Sequence, residues 1–285
     1  VNTSLYISSG ALQAYQQKID TTANNVANVN TTGYKKREQS FSEILTTSLN
    51  NQVPVQAEQG RLTPNGLRIG HGARTGLTQI NMTQGQAIQT NNPFDLMING
   101  QGFFQIGLGS TNGGGIDEVR YTRDGNFHLS PNPENPRSYH LVHANGGYLL
   151  DQNGNPLQLD DRYEVSIQPN GQIQLRNKNG NGNSFVSTQQ VGMVNIENAS
   201  LLKSLGDNQY GIDVAALPEG TTINEVVSGM QNDEIQLQTG FLEGSNVDLM
   251  MEMTDLLTSQ RSFQLNARAV SYADQMMGIA NSIMR

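Results

Sequence analysis

Four histidines, His71, His128, His140 and His143, are the residues of this sequence best suited to metal ligation or proton transfer. His140 and His143 stand three apart on a stretch that reads as a strand, so their side chains are expected on opposite faces. No cysteine and no matched histidine pair completes a zinc set. Asp151, Asn153 and Asn155 open like a calcium loop, with oxygens at alternate positions. Pro156, however, stands where that loop needs glycine, and Arg162 where it needs its closing carboxylate. The segment reads as a turn. Asp160 and Asp161 are the nearest approach to paired carboxylates, and they are scattered candidates only. Gly70-His-Gly72 and Gly107-Leu-Gly109 lack the third glycine of a dinucleotide loop, and there is no Gly-x-Ser-x-Gly elbow. Without cysteine there is no disulfide and no thiolate nucleophile. The expectation is a protein with no catalytic residues, no metal and no cofactor, and not an enzyme.

The elements that would have to position such groups are of two textures. Only 35% of the 285 residues are hydrophobic and 15% charged, and glycine is abundant at 30. That balance suits short strands and tight turns better than a helical bundle. A formal charge of −8, with Lys35-Lys36-Arg37 the single basic run, argues against nucleic acid as a partner. No stretch approaches the ~18–20 apolar residues of a membrane span. Val1-Asn2-Thr3-Ser4 lacks the basic and apolar regions of a signal peptide, so any export is expected to use another route.

At each end the apolar residues recur every seven positions. Leu5, Leu12, Ile19 and Val26 form one stripe, and Leu249, Leu256, Phe263, Val270, Met277 and Met284 another. Such spacing predicts two helices with narrow, coiled-coil-like seams. Positions four further on are expected to form the second row: Ser9, Gln16 and Ala23 in the first helix, and Met253, Gln260, Ala267, Asp274 and Asn281 in the second. The first helix is expected to end near residues 28–30, with Gly33 allowing a turn. Ser245 or Asn246 is expected to cap the second, with Asp248 in its first turn.

Between the seams the sequence changes to hairpin chemistry. Asn-Gly occurs at 65–66, 99–100, 112–113, 145–146, 153–154, 170–171, 179–180 and 181–182, with Asp124-Gly125 in addition. Alternating flanks such as Val119 and Tyr121, Phe127 and Leu129, or Val165, Ile167, Ile173 and Leu175 support strands. The predicted class is α+β: a mainly-β central domain with a coiled-coil-like pair of N- and C-terminal helices. The divisions are 1–45 for the N-terminal helical region, 46–76 for a Pro- and Gly-interrupted connector, 77–240 for the β domain and 241–285 for the C-terminal helix.

Ala23-Asn24-Asn25-Val26-Ala27-Asn28 with Thr32-Gly33-Tyr34-Lys35 resembles the N-terminal signature of the bacterial flagellar rod and hook proteins. Gly244-Ser245-Asn246-Val247 with Gln260-Arg261-Ser262-Phe263 resembles their C-terminal signature. Asn99-Gly100-Gln101-Gly102-Phe103-Phe104 and Tyr121-Thr122-Arg123-Asp124-Gly125 are similar to motifs of their β domain. The likeness spans nearly the whole chain, in order. Leu62-Thr63-Pro64-Asn65-Gly66-Leu67 is most like the distal rod branch, and Leu242-Glu243-Gly244-Ser245-Asn246 is closer to some proximal rod sequences; the distal branch is favoured.

The resemblance implies an extracytoplasmic structural subunit of the flagellar basal body, passed through the flagellar export apparatus without signal cleavage. Its terminal helices would polymerise into a tube with copies of itself and with neighbouring rod and hook subunits, with no small-molecule substrate. The polymerisation interface would then include Leu5, Leu12, Ile19, Val26, Leu249, Met253, Leu256, Phe263, Val270 and Met277. Asn24, Asn25 and Asn28 have two readings: helix-end capping and turn formation, or amides that bond across to neighbouring backbones and set subunit register as a buried coiled-coil Asn can. The alternative from another class is a secreted β-rich adhesin with oligomerising helices.

Overall fold

The computed structural model describes residues 2–43, 46–49, 67–70, 72–109, 116–132, 135–177, 184–196, 198–213, 227–229 and 236–283. His71, residues 50–66 of the connector with the Leu62–Gly66 motif, the Asn-Gly pairs at 112–113, 179–180 and 181–182, and Met284 lie outside the described residues. The described chain is α+β, with a long helix near each end and antiparallel sheets between them. It divides into two compact units.

The first unit holds Val1–Ala27, Arg37–Gln79 and Asp248–Arg285. Its helices are α1 (Asn2–Ala27) and α2 (Leu249–Ile283). Neither contains proline, and each has a single glycine, Gly10 or Gly278, so nothing breaks the backbone ladder. The cap of α2 is Asp248 and not Ser245 or Asn246: its Oδ1 accepts the amides of Met250 and Met251 at 2.9 and 3.1 Å. Strand Arg37–Glu43 pairs with Ala73–Ile80, and Thr46–Leu49 pairs antiparallel with Leu67–Gly70. The described parts of the connector are therefore laddered strands.

The second unit holds Asn28–Lys36 and Ile80–Val247. Its main sheet runs through strands Gln158–Asp160, Ser138–His143, Tyr148–Leu149, Phe103–Gly109, Ile116–Thr122, Gln209–Ile212 and Leu202–Gly206, in that order. Phe103 and Phe104 are neighbours on one strand and so point to opposite faces. Phe104 joins a core with Leu96, Ile106, Phe127, Leu149 and Ile173. Phe103 joins a second core with Tyr121, Val194, Leu202 and Tyr210. The strand is thus buried on both sides.

The turn signals divide. Tyr163–Ile167 and Gln172–Asn177 form the expected hairpin about Asn170-Gly171, with Val165 opposite Leu175. Asn145-Gly146 joins paired strands as well. Asp124-Gly125 does not make a hairpin: Ile116–Thr122 pairs with Phe103–Gly109, and Phe127–Pro131 pairs with Ser138–His143. Gly125 is required there because a Cβ would strike the Leu96 carbonyl. The two-residue hairpin loop with both residues left-handed is Asp207-Asn208 (φ 51° and 57°), closed by Gly206 opposite Gln209.

Candidate functional site

In the helical unit α1 and α2 run antiparallel, the end of α1 meeting the start of α2 where Asn25 Nδ2 donates to Glu252 Oε2 at 3.1 Å. Leu5, Leu12, Ile19 and Val26, with Leu256, Phe263, Val270 and Met277, are half-buried along the seam. The second row is not the expected one. It lies three residues after the leucine row: Ser8, Tyr15 and Thr22 on α1, and Glu252, Ser259, Asn266 and Ala273 on α2, all buried or half-buried. Ser9, Gln16, Ala23, Met253, Gln260, Ala267, Asp274 and Asn281 are exposed, as is Leu249. Heptad core rows are alternately three and four apart, so the leucine row could be the first or the second of its pair. The structure makes it the first.

Asn25 is 1% exposed. Its side chain donates to the Arg37 carbonyl and accepts the Arg37 amide, both at 3.0 Å, besides reaching Glu252. It therefore ties α1 to Arg37 and to α2 within one chain. Asn28 is a turn former: its carbonyl accepts the Thr31 amide and its Oδ1 the Thr31 hydroxyl. Asn24 is exposed.

The outer face of α2 carries a second apolar strip. Met250, Leu257, Leu265, Tyr272, Met276, Ile279 and Ile283 are each more than half exposed, from 54% to 80%. With Thr254, Arg261 and Arg268 between them they repeat a four-three-four spacing. That is a period of about 3.67 residues, which tracks nearly straight along a helix. At about 100° per residue the strip lies opposite the seam. The spacing was readable in the sequence and was missed because the seven-residue series is the more regular pattern.

In the β-rich unit all four of its signature segments meet at one buried ionic cluster. Glu243 has both side-chain oxygens engaged. Oε1 accepts Lys35 Nζ at 2.7 Å and the Gly85 amide at 2.9 Å, and Oε2 accepts Arg123 Nη1 at 3.2 Å. Lys35, Arg123 and Glu243 are each 1–2% exposed. Lys35 also donates to the Thr83 carbonyl, and Arg123 Nη2 to the Gly100 carbonyl, with its guanidinium against the Phe103 ring. Burial pulls the Lys35 and Arg123 pKa values down, and the Glu243 charge opposes that.

Around this cluster the N-terminal turn is fastened to the segment 243–246. The Gly33 amide donates to the Glu243 carbonyl at 2.8 Å and the Lys36 amide to Asn246 Oδ1 at 2.7 Å. Asn246 Nδ2 reaches the carbonyls of Asn81 and Thr83. Gly33 has φ +67°, and a Cβ on it would sit 2.5 Å from the Asp124 amide nitrogen, so no other residue fits. Tyr34 and Val247 are buried, and Ser245 Oγ accepts the Val247 amide. Gln260 and Arg261 belong to the helical unit and are exposed on α2. Lys35, Arg123 and Glu243 stood within the quoted motifs, but nothing in their spacing showed that they form one cluster.

The groups first considered for chemistry have structural places. His143 is fully buried, its Nδ1 accepting the Asn145 amide and its Nε2 3.4 Å from Asp124 Oδ2. His140 Nδ1 lies 3.3 Å from the Leu157 carbonyl. Asp151 Oδ1 accepts the amides of Asn153 and Asn155, closing the turn on itself. Hydrogen bonds from the exposed Arg162 hold the Asp160 carboxyl down to about 2. Among the described residues no group of three His, Asp or Glu could hold a metal ion.

Three family models match the chain: flagella basal body rod protein at residues 5–35, the flagellar hook protein FlgE/F/G D1 domain at 97–175, and the flagellar basal body rod FlgEFG protein C-terminal region at 238–283. The chain is 36% identical over 284 residues to the flagellar hook-basal body complex protein FlhP of Bacillus subtilis, covering 98% of each chain. It is 32% identical over 290 residues to the flagellar basal-body rod protein FlgG of Agrobacterium fabrum, covering 99% of each. To FlgG of Bacillus subtilis it is 30% identical over 280 residues, covering 96% of each.

Proposed function

The chain belongs to the flagellar rod and hook protein family, and we propose that it builds the rod by setting the open strip of α2 against a neighbouring copy. It is a structural subunit of the flagellar basal-body rod. The observation that carries the assembly reading is that α2 is apolar on two opposite faces and α1 covers one. Seven large apolar side chains, each more than half exposed along one helix face, mark an interaction surface.

In this reading Leu5, Leu12, Ile19, Val26, Leu256, Phe263, Val270 and Met277 hold the helix pair together, and the contact between copies runs through Met250, Leu257, Leu265, Tyr272, Met276, Ile279 and Ile283. Leu249 and Met253 flank the strip. A contact between unlike faces propagates along a shaft when the rotation from copy to copy does not close into a ring. Neighbouring rod and hook subunits are its partners, the distal rod its place, and the flagellar export apparatus its route, without signal cleavage. It needs no substrate, cofactor or nucleic acid.

The test compares Leu265→Asp with Ser271→Asp, an exposed position off the strip, in a strain lacking the protein. Leu265→Asp is expected to leave the helix content of the purified subunit unchanged and to abolish motility and rod assembly. Ser271→Asp is expected to restore both. Motility with Leu265→Asp equal to that of the intact chain would remove the strip from the interface.

A further inference from the structure

We propose that Glu243 is a charge interlock, making the docking of the 31–36 turn conditional on the arrival of the 241–247 segment. Lys35 and Arg123 are buried side by side, and the carboxylate that serves both comes from a point 208 residues beyond the first and 120 beyond the second. Asp124, adjacent to Arg123 in the chain, is occupied elsewhere: its Oδ1 accepts the Thr32 hydroxyl and the Asn126 amide, and its Oδ2 faces His143. Without Glu243 the site would bury two like charges with no anion between them. Removing one partner from a buried pair disfavours the buried state by a factor of about 10² to 10³.

The turn 31–36 therefore stays undocked while the C-terminal segment is missing, although Thr83, Gly85, Gly100 and Arg123 can already be in place. Once 241–247 adds its strand, Phe241–Glu243 against Ala87–Gln89, the carboxylate enters together with the carbonyl that receives the Gly33 amide. Backbone and charge thus engage in one event. The device couples residues near the two ends of the chain inside the β-rich unit, and it holds whether or not the α2 strip is the contact between copies.

Amide exchange on dilute, full-length single subunits tests it. Glu243→Gln keeps the shape of the side chain and an acceptor for the Gly85 amide but removes the charge. The Gly33 and Lys36 amides are expected to exchange about 100-fold faster, while those of the core residues Leu150 and Leu157 hold. Adding Lys35→Met returns the cluster to its native net charge of +1, from two cations and one anion, and is expected to restore at least tenfold of the lost protection. A role in shape alone predicts the double variant to be looser than the single. Unchanged Gly33 and Lys36 exchange in Glu243→Gln, or no recovery in the double variant, overturns the interlock. Should Glu243→Gln loosen Leu150 and Leu157 as well, recovery of all four amides in the double variant supports it, and failure to recover overturns it.

Discussion

Phe104 in the β-rich unit has no exposed surface, whereas Leu265 in the helical unit keeps 64% of its own. Leu96, Ile106, Phe127, Leu141, Leu149 and Ile173 are all at 0%, while the large apolar seam residues Leu5, Leu12, Ile19, Val26, Leu256, Phe263, Val270 and Met277 are half-buried. The β-rich unit builds two cores from its own side chains, and its buried Lys35 and Arg123 share the Glu243 carboxylate. The helical unit has a single seam, half of whose rows are small or polar. On the proposed assembly, a narrow seam between two helices leaves part of their stability to neighbours, because helix stability comes mostly from packing. In that assembly, one unit takes its packing from its own chain and the other completes it with neighbours.

The largest effect that would sharpen this contrast is in the core. Phe104→Ala is expected to cost about 3–5 kcal/mol in denaturant unfolding of the β-rich unit, and a loss under about 1 kcal/mol would mean that this core is no tighter than the helical seam. Next comes Gly33→Ala, where a left-handed backbone and a close approach to Asp124 coincide. It is expected to cost about 2–3 kcal/mol in the same experiment. In the helical unit Asn25→Leu strips partners from the Arg37 amide and carbonyl and is expected to cost about 2 kcal/mol. Thermal unfolding followed by helix signal reads this, and rods built from the variant should show irregular subunit spacing. Ile279→Ser, on the strip, is expected to change the stability of the single subunit by less than about 0.5 kcal/mol while weakening assembly in pelleting assays. A cost in the monomer like that of Phe104→Ala would mean the strip is already covered.

The smallest effect is with pH. Burial lowers the Lys35 pKa from its ordinary 10.5 in the folded chain. Between the lowered value and 10.5 the unfolded state binds more protons, so this group makes stability rise with pH there. The slope should vanish in Lys35→Met. Urea midpoints across the alkaline range below pH 10 check it, since above that the raised pKa of Tyr121 acts in the opposite direction.

Much of this plan was legible from periodicity. The seven-residue rows placed both helices, and the alternation about Asn170-Gly171 placed a hairpin. What escaped was whatever depends on partners distant in sequence. The leucine rows alone do not say whether their companions lie three or four residues on, since the facing helix decides. Asp124-Gly125 looks like a hairpin turn, but its glycine answers to the Leu96 carbonyl. Asp207-Asn208 forms the tight turn without glycine, its strained backbone held as Asn208 Nδ2 donates to the Thr32 carbonyl and its own carbonyl accepts the Thr122 hydroxyl. Glu243 reads as one acidic residue among 25 until the fold brings two cations to it.

The mismatch of repeats on the two sides of α2 has a mechanical consequence. A contact recurring about every 3.5 residues draws a helix into a left-handed wrap, and one recurring about every 3.67 draws it slightly the other way. A helix gripped by both has no direction in which winding improves both contacts. It is a strut and not a strand of rope, and a column of such struts would resist being wrung when one end is turned against a load.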